Sequence, residues 1–66
     1  MKFKELCVIA NKGGELPATA TELERDCFTQ ICFVYEAFHN GEAGKDECEE
    51  CIAANRQTFI DLGGEA

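Results

Sequence analysis

The sequence predicts an all-α fold: a short N-terminal helix and an antiparallel two-helix hairpin, assembled into a homo-oligomeric helical bundle. In three stretches, apolar residues recur at steps of three and four, which is the period of an amphipathic helix. A glycine follows each stretch, and no alternating pattern indicates a β-strand. With 66 residues, the chain is predicted to be one helical domain over 1–66. Chains of this size often need an oligomer, a metal or disulfides for stability.

The first helix is predicted over about residues 2–11. Its amphipathic stripe consists of Phe3, Leu6, Cys7 and Ala10. Gly13 and Gly14 follow the stretch, where the chain must turn out of a helix. Residues 12–19, which contain Pro17, are predicted to be a linker.

The second helix is predicted over about residues 20–40. Thr21 and Glu24 have the spacing of a capping box, and Thr19 with Glu22 offers an alternative start. One apolar stripe consists of Leu23, Cys27, Ile31, Val34 and Phe38, and a neighbouring stripe of Phe28, Cys32, Tyr35 and His39. Residues 31–35 are apolar on nearly every side, which is typical of a buried helix. Because so short a chain has little to cover them with, we expect another copy to do so.

The third helix is predicted over about residues 45–62. Gly41 ends the preceding helix, and Asp46 and Glu47 lie in the first turn, where acids favour the helix dipole. The inner stripe consists of Cys48, Ile52, Asn55, Phe59 and Leu62. The short loop between two helices of similar length predicts an antiparallel hairpin.

The composition narrows the choice of partners. The chain has 13 acids and 6 bases, a formal net charge of −7. This disfavours direct binding to nucleic acid or to an anionic membrane, because both require clustered Lys and Arg. The charge is compatible with a basic protein partner, or with a local basic pocket on an acidic body. The longest apolar run, Ile31–Tyr35, is far short of a membrane span, and no signal-peptide or lipidation pattern occurs. We therefore expect a cytoplasmic protein.

The hairpin contains the pattern Tyr35-x-x-Phe38-x-x-Gly41, then Asp46-Glu47-Cys48, and Phe59. Over about residues 20–60 this resembles very short helical-hairpin proteins encoded by phages and prophages of gut Firmicutes, a family of uncertain function. In that family the first helix ends Tyr-x-x-Tyr-x-x-Gly, the loop carries Ile-Ser, and Glu-Glu-Ala opens the second helix. This chain departs from the pattern with Gly44 at the serine and Cys48 at the alanine. The resemblance implies a phage-type origin, a bacterial host cytoplasm and no catalytic residues.

The five cysteines are interpreted as reduced core residues, because their number is odd and no signal peptide is present. The alternative is a zinc site formed by Cys32, Cys48 and Cys51, which would lack a fourth ligand. His39 cannot easily complete it, since it lies seven residues from Cys32, or ~10.5 Å along the helix. The prediction is therefore no cofactor, with zinc as the alternative.

The candidate ligand-binding residues are Arg25, Tyr35, Arg56 and His39. Tyr35 could stack on a base, although its spacing also suits a core residue. In the hairpin Arg56 faces roughly residue 28, so Arg25 and Arg56 could form a fork for phosphate. The alternative is ordinary ion pairs with Glu22, Glu24 or Glu49. His39 lies in the last turn of its helix, where a cation offsets the dipole.

No catalytic motif occurs, so an enzyme is not predicted. The first hypothesis is a non-enzymatic phage protein that antagonises bacterial defence by sequestering a small, cyclic nucleotide signal in pockets between subunits. The second is an acidic, anti-CRISPR-like inhibitor that mimics nucleic acid on a basic host nuclease. Its outward acids would be Glu24, Asp26, Glu47, Glu49 and Glu50. The third is a metal-stabilised or purely structural phage protein.

Overall fold

The computed structural model describes residues 1–66 and contains three helices. They are α1 (Phe3–Asn11), α2 (Glu22–His39) and α3 (Lys45–Asp61). There is no strand, only an isolated bridge between Lys2 and Glu65. The all-α prediction is confirmed, and each helix begins and ends within two residues of its predicted bounds. None of the three is both long enough and apolar enough to span a membrane.

Side chains and glycines fix the ends of the helices. The Thr21 hydroxyl accepts from the Glu24 backbone N–H (3.2 Å), and the Glu24 carboxylate accepts from the Thr21 N–H (2.7 Å). This confirms the predicted capping box of α2. At the other end, Gly41 has φ +77° and donates to the Phe38 carbonyl, while Glu42 donates to the Ala37 carbonyl. This is a Schellman motif, which satisfies carbonyls that the helix leaves free. The same pairing ends α1 at Gly13–Gly14 and α3 at Gly63–Gly64.

The linker reverses the chain, so α1 runs in the same direction as α2. The Met1 amine pairs with Glu24 at the start of α2, whereas Ala10 lies beside Cys32 and Tyr35 in its second half. The C-terminal tail returns to α1, where Phe3 donates to the Glu65 carbonyl (2.8 Å). As predicted, α3 is antiparallel to α2: Leu23 and Leu62 line one groove, with Gln30 and Asn55 further along it.

The core lies where the three helices meet. Its six members are Phe3, Leu6, Ala10, Cys27, Ile31 and Phe59. The Phe3 and Phe59 rings pack 6.0 Å apart between centroids and link α1 to the end of α3. Among the large apolar members of the predicted stripes, Phe38 and Leu62 are exposed, at 37% and 65%. Both stand near helix ends; Leu62 follows the last residue of α3.

The apolar segment 31–35 is covered by its own chain more than its sequence suggested. Ile31 is fully buried, and Cys32, Val34 and Tyr35 are half-buried. Phe33 alone remains exposed, at 64%. Because α1 runs alongside α2, it covers a side of the helix that we expected a second copy to cover.

Candidate functional site

A groove of about 460 Å³ lies between the end of α1 and the second half of α2. Two of the predicted ligand-binding residues, Tyr35 and His39, line it. The rest of the lining consists of Ala10, Asn11, Lys12, Gly13, Gly14, Cys32, Glu36 and Asn40. The volume falls in the range of ~300–1,000 Å³ that is usual for small-ligand sites.

Tyr35 is half-buried at the inner wall of this groove. Burial raises the pKa of its hydroxyl to about 12, and the neighbouring Cys7 thiol adds to the effect. The hydroxyl therefore stays protonated at neutral pH. Tyr35 can offer a ring face and an O–H donor, but it supplies no anionic group for chemistry.

His39 extends the aromatic surface from Tyr35 toward solvent. Its ring centroid lies 6.4 Å from that of Tyr35, with the planes 31° apart, and 5.8 Å from that of Phe38, with the planes 50° apart. These separations are in the range of aromatic contacts. Because Tyr35 and His39 are four residues apart on a helix, their rings form one surface that a flat ligand can contact.

The charges of the groove are few and mixed. Lys12 is the one lysine or arginine in its lining, and Glu36 the one acid. Both α1 and α2 end at the groove, so their dipoles place partial negative charge there. Gly13–Gly14 and the Asn11 and Asn40 side chains bring backbone and amide groups to the rim. The groove can therefore hydrogen-bond a polar ring, and its single lysine can pair with at most one negative charge.

The two arginines of the predicted site are placed elsewhere. Arg25 donates to the linker carbonyls of Ala18 (3.0 Å) and Pro17 (3.4 Å), so it holds the linker against α2. Arg56 is exposed on α3 and is absent from the lining of both the Tyr35 groove and the α2–α3 groove. Neither arginine makes an ion pair; the one ion pair in the structure joins the Met1 amine to Glu24.

The cysteines do not gather into a metal site. Cys27 and Cys48 are buried, Cys7 and Cys32 half-buried, and Cys51 exposed. The first four fit the interpretation as packed thiols, whereas Cys51 lies outside the core. No group of three or more His, Cys, Asp or Glu side chains is positioned to hold a metal ion. The alternative set of Cys32, Cys48 and Cys51 is therefore not brought together.

A second cavity, of about 500 Å³, lies between the first turns of α1 and α2 and the C-terminal tail. Glu24 lies here and is 8% exposed, so the expectation that it faces outward was wrong. Its hydrogen bond with the Met1 amine, with help from the Thr21 N–H, lowers the pKa of its carboxyl. Glu5 and Glu65 also line this cavity, and Glu5 caps α1 by accepting from the Lys2 N–H (3.0 Å). With three carboxylates in its lining, the cavity is a poor site for an anion.

The sequence interpretation missed the part of the groove that α1 supplies. Lys12, Gly13 and Gly14 were interpreted only as the end of a helix, yet they line the same groove as His39. The length of the linker was the feature of the sequence that could have predicted this arrangement. Residues 12–21 can span the ~13.5 Å length of a nine-residue helix, so α1 and α2 can lie parallel with their ends together.

Comparison with protein-family models, curated proteins and solved structures gave no match.

Proposed function

We propose that this chain is a non-enzymatic binding protein that holds a small ring-containing ligand, a nucleotide, in the groove lined by Tyr35 and His39. The observation that carries the proposal is the meeting of these two rings with Lys12 in one groove of suitable size. Aromatic side chains bind the flat face of a base, and a lysine provides a point charge for phosphate.

The charges of the groove restrict the class of nucleotide. One lysine, opposed by Glu36 and by two helix C-termini, cannot compensate a triphosphate. We therefore favour a ligand with a single negative charge, such as a cyclic mononucleotide. Since Arg25 and Arg56 lie outside the groove, they have no part in this proposal.

The biological role that we propose is sequestration of a nucleotide signal by a phage-type protein, which would antagonise host defence in the bacterial cytoplasm. The resemblance of the hairpin to short phage proteins supports this role. Sequestration also fits a site whose one tyrosine stays protonated and whose Cys32 thiol has a pKa raised by burial, which disfavours the nucleophilic thiolate. We further propose that the chain self-associates, which the 64% exposure of Phe33 supports.

The test is calorimetric titration with adenosine, a cyclic mononucleotide and ATP. We expect the cyclic mononucleotide to bind more tightly than the other two. Lys12→Gln should weaken binding of the cyclic mononucleotide about tenfold, because one charged hydrogen bond is lost. It should not change adenosine binding. Lys45→Gln, the matched control at the start of α3, should change neither. Absence of binding for all three compounds, or equal effects of the two lysine substitutions, would remove the nucleotide proposal.

A second candidate function is the acidic inhibitor of a basic host protein. The exposed acids favour it: Asp26, Glu47, Glu49 and Glu50 lie at the surface, and none is ion-paired. Binding to a basic nuclease that competes with DNA, weakens with salt and is lost in Glu49→Gln/Glu50→Gln would support this candidate. Unchanged DNA binding by the nuclease would count against it.

A further inference from the structure

The hairpin has a second set of aligned residues, on the side away from α1. On each long helix they recur at steps of four, three and four, so each row follows one helix face. The first row is Asp26, Gln30, Phe33 and Ala37 on α2. The second is Cys51, Asn55 and Thr58 on α3, continued by Leu62 directly after that helix. We call these eight residues the outer hairpin face.

The two rows border one another. Asp26 and Gln30 of α2 line a groove of about 150 Å³ together with Asn55 and Thr58 of α3 and with Leu62. α1 packs elsewhere, against the side of α2 that carries Cys32, Tyr35 and His39. No element of the chain therefore covers the outer hairpin face.

This face combines exposed apolar side chains with little charge. Phe33 and Leu62 are 64% and 65% exposed, the two most exposed large apolar side chains in the chain. Only one of the 13 acids, Asp26, belongs to the face. Its polar members Gln30, Asn55 and Thr58 carry both donors and acceptors, so they can pair with copies of themselves.

We propose that a second copy of this chain packs on the outer hairpin face, about a two-fold axis. The inference rests on the proposed self-association and names the surface that performs it. Two chains of charge −7 repel one another, and they do so least where acids are sparse. A basic partner, in contrast, would be attracted to the acid-rich parts of the surface. An antiparallel arrangement also places the two Asp26 carboxylates at opposite ends of the interface.

The available area agrees with a dimer of moderate strength. The Cα atoms extend over 32 × 23 × 14 Å, and a side that shows two helices next to each other is a broad one. Its projected area is at most roughly 700 Å², against ~800 Å² per partner in a standard interface. The narrow side along the helices, 32 × 14 Å, offers only roughly 450 Å². The dimer should therefore depend on protein concentration, with α2 and α3 of two copies forming a four-helix bundle.

The test is analytical ultracentrifugation over a wide range of protein concentrations. We expect a concentration-dependent dimer that Phe33→Asp and Leu62→Asp each weaken at least about tenfold, because each replaces an apolar side chain of the interface with a charge. Val8→Asp is the matched control, because Val8 is also exposed (46%) but lies on α1. It should dimerise like the parent chain. Binding of the cyclic mononucleotide should survive Phe33→Asp, because Phe33 is not in the Tyr35 groove.

The outcomes separate the two proposals. A monomer at every concentration overturns both self-association and this interface, whatever the ligand result. A dimer that Val8→Asp disrupts and Phe33→Asp leaves intact overturns the interface alone. Alkylation of Cys51, the one exposed cysteine, gives a check that needs no substitution. It should slow as the concentration of the parent chain rises, and an unchanged rate in a dimeric sample would overturn the interface.

Discussion

At the scale of single residues, burial raises the pKa values of four thiols and of the one tyrosine. Burial raises the pKa of Tyr35 from 10.0 to about 12. Burial also raises the pKa of Cys27 from 9.0 to about 11, with a contribution from Cys7. The pKa values of the Cys7, Cys32 and Cys48 thiols are raised as well, in each case mainly by burial. The folded state therefore binds these protons more tightly than the unfolded chain does.

We predict that the chain loses stability in alkali because of these groups. Their contribution is complete below about pH 9, where both states are protonated, and is lost as the pH rises through the folded pKa values. Urea unfolding in reducing buffer should give a falling free energy of unfolding between pH 9 and 12. Tyr35→Phe should flatten the part of this decline above pH 10. Tyr35 is the one tyrosine, with no tryptophan present, so absorbance near 295 nm follows its titration directly. A midpoint near pH 10 would contradict the prediction.

At the scale of elements, the C-terminal end of α3 depends on close packing between the turn and the helix. Gly64 donates to the Phe59 carbonyl (2.8 Å), and a Cβ at position 64 would overlap the Phe59 ring. Phe59 is 2% exposed, so its ring has little room to move. The turn that carries the chain from α3 back to α1 therefore requires a residue without a side chain at this position.

We predict that Gly64→Ala lowers the free energy of unfolding by ~1–3 kcal/mol, the usual cost of overpacking a core. Denaturant unfolding followed by circular dichroism measures this. The matched experiment repeats the substitution in a Phe59→Leu background, where the shorter side chain leaves room. The cost of Gly64→Ala should be smaller there. Strictly additive costs would show that the contact with the ring is not the cause.

The helices themselves could be predicted because the signals that define them are local. The Thr21–Glu24 capping box and the Gly41 terminus use residues within one turn of each other, and the structure confirms both. Features that depend on distant contacts were not foreseen. The Met1 amine draws Glu24 inward, and linker carbonyls engage Arg25. In both cases the sequence showed a charge on a helix and gave no indication of its partner.

At the scale of the whole molecule, the direction of α1 determines which residues line the Tyr35 groove. An N-terminal helix parallel to α2 brings Lys12 and His39 into one groove and covers much of residues 31–35. Of the four predicted ligand-binding residues, Tyr35 and His39 share a groove, while Arg25 and Arg56 lie outside it. Residues on one helix face could be grouped from their spacing. The arrangement of separate helices could not, because it follows from the linker and from packing.

The negative charge of the whole molecule predicts that salt stabilises the fold. The chain carries −7 with a single ion pair, and the first half of α3 brings Asp46, Glu47, Glu49 and Glu50 together at steps of three and four. Like charges at these steps cost ~0.2–0.5 kcal/mol per pair. Raising NaCl from ~20 mM to ~500 mM should therefore raise the melting temperature by a few degrees, because salt screens repulsion. Glu50→Lys, which replaces repulsion by attraction, should raise it at low salt and reduce the salt effect, with Glu50→Gln intermediate. A melting temperature that falls with NaCl would show that repulsion among these acids does not limit stability.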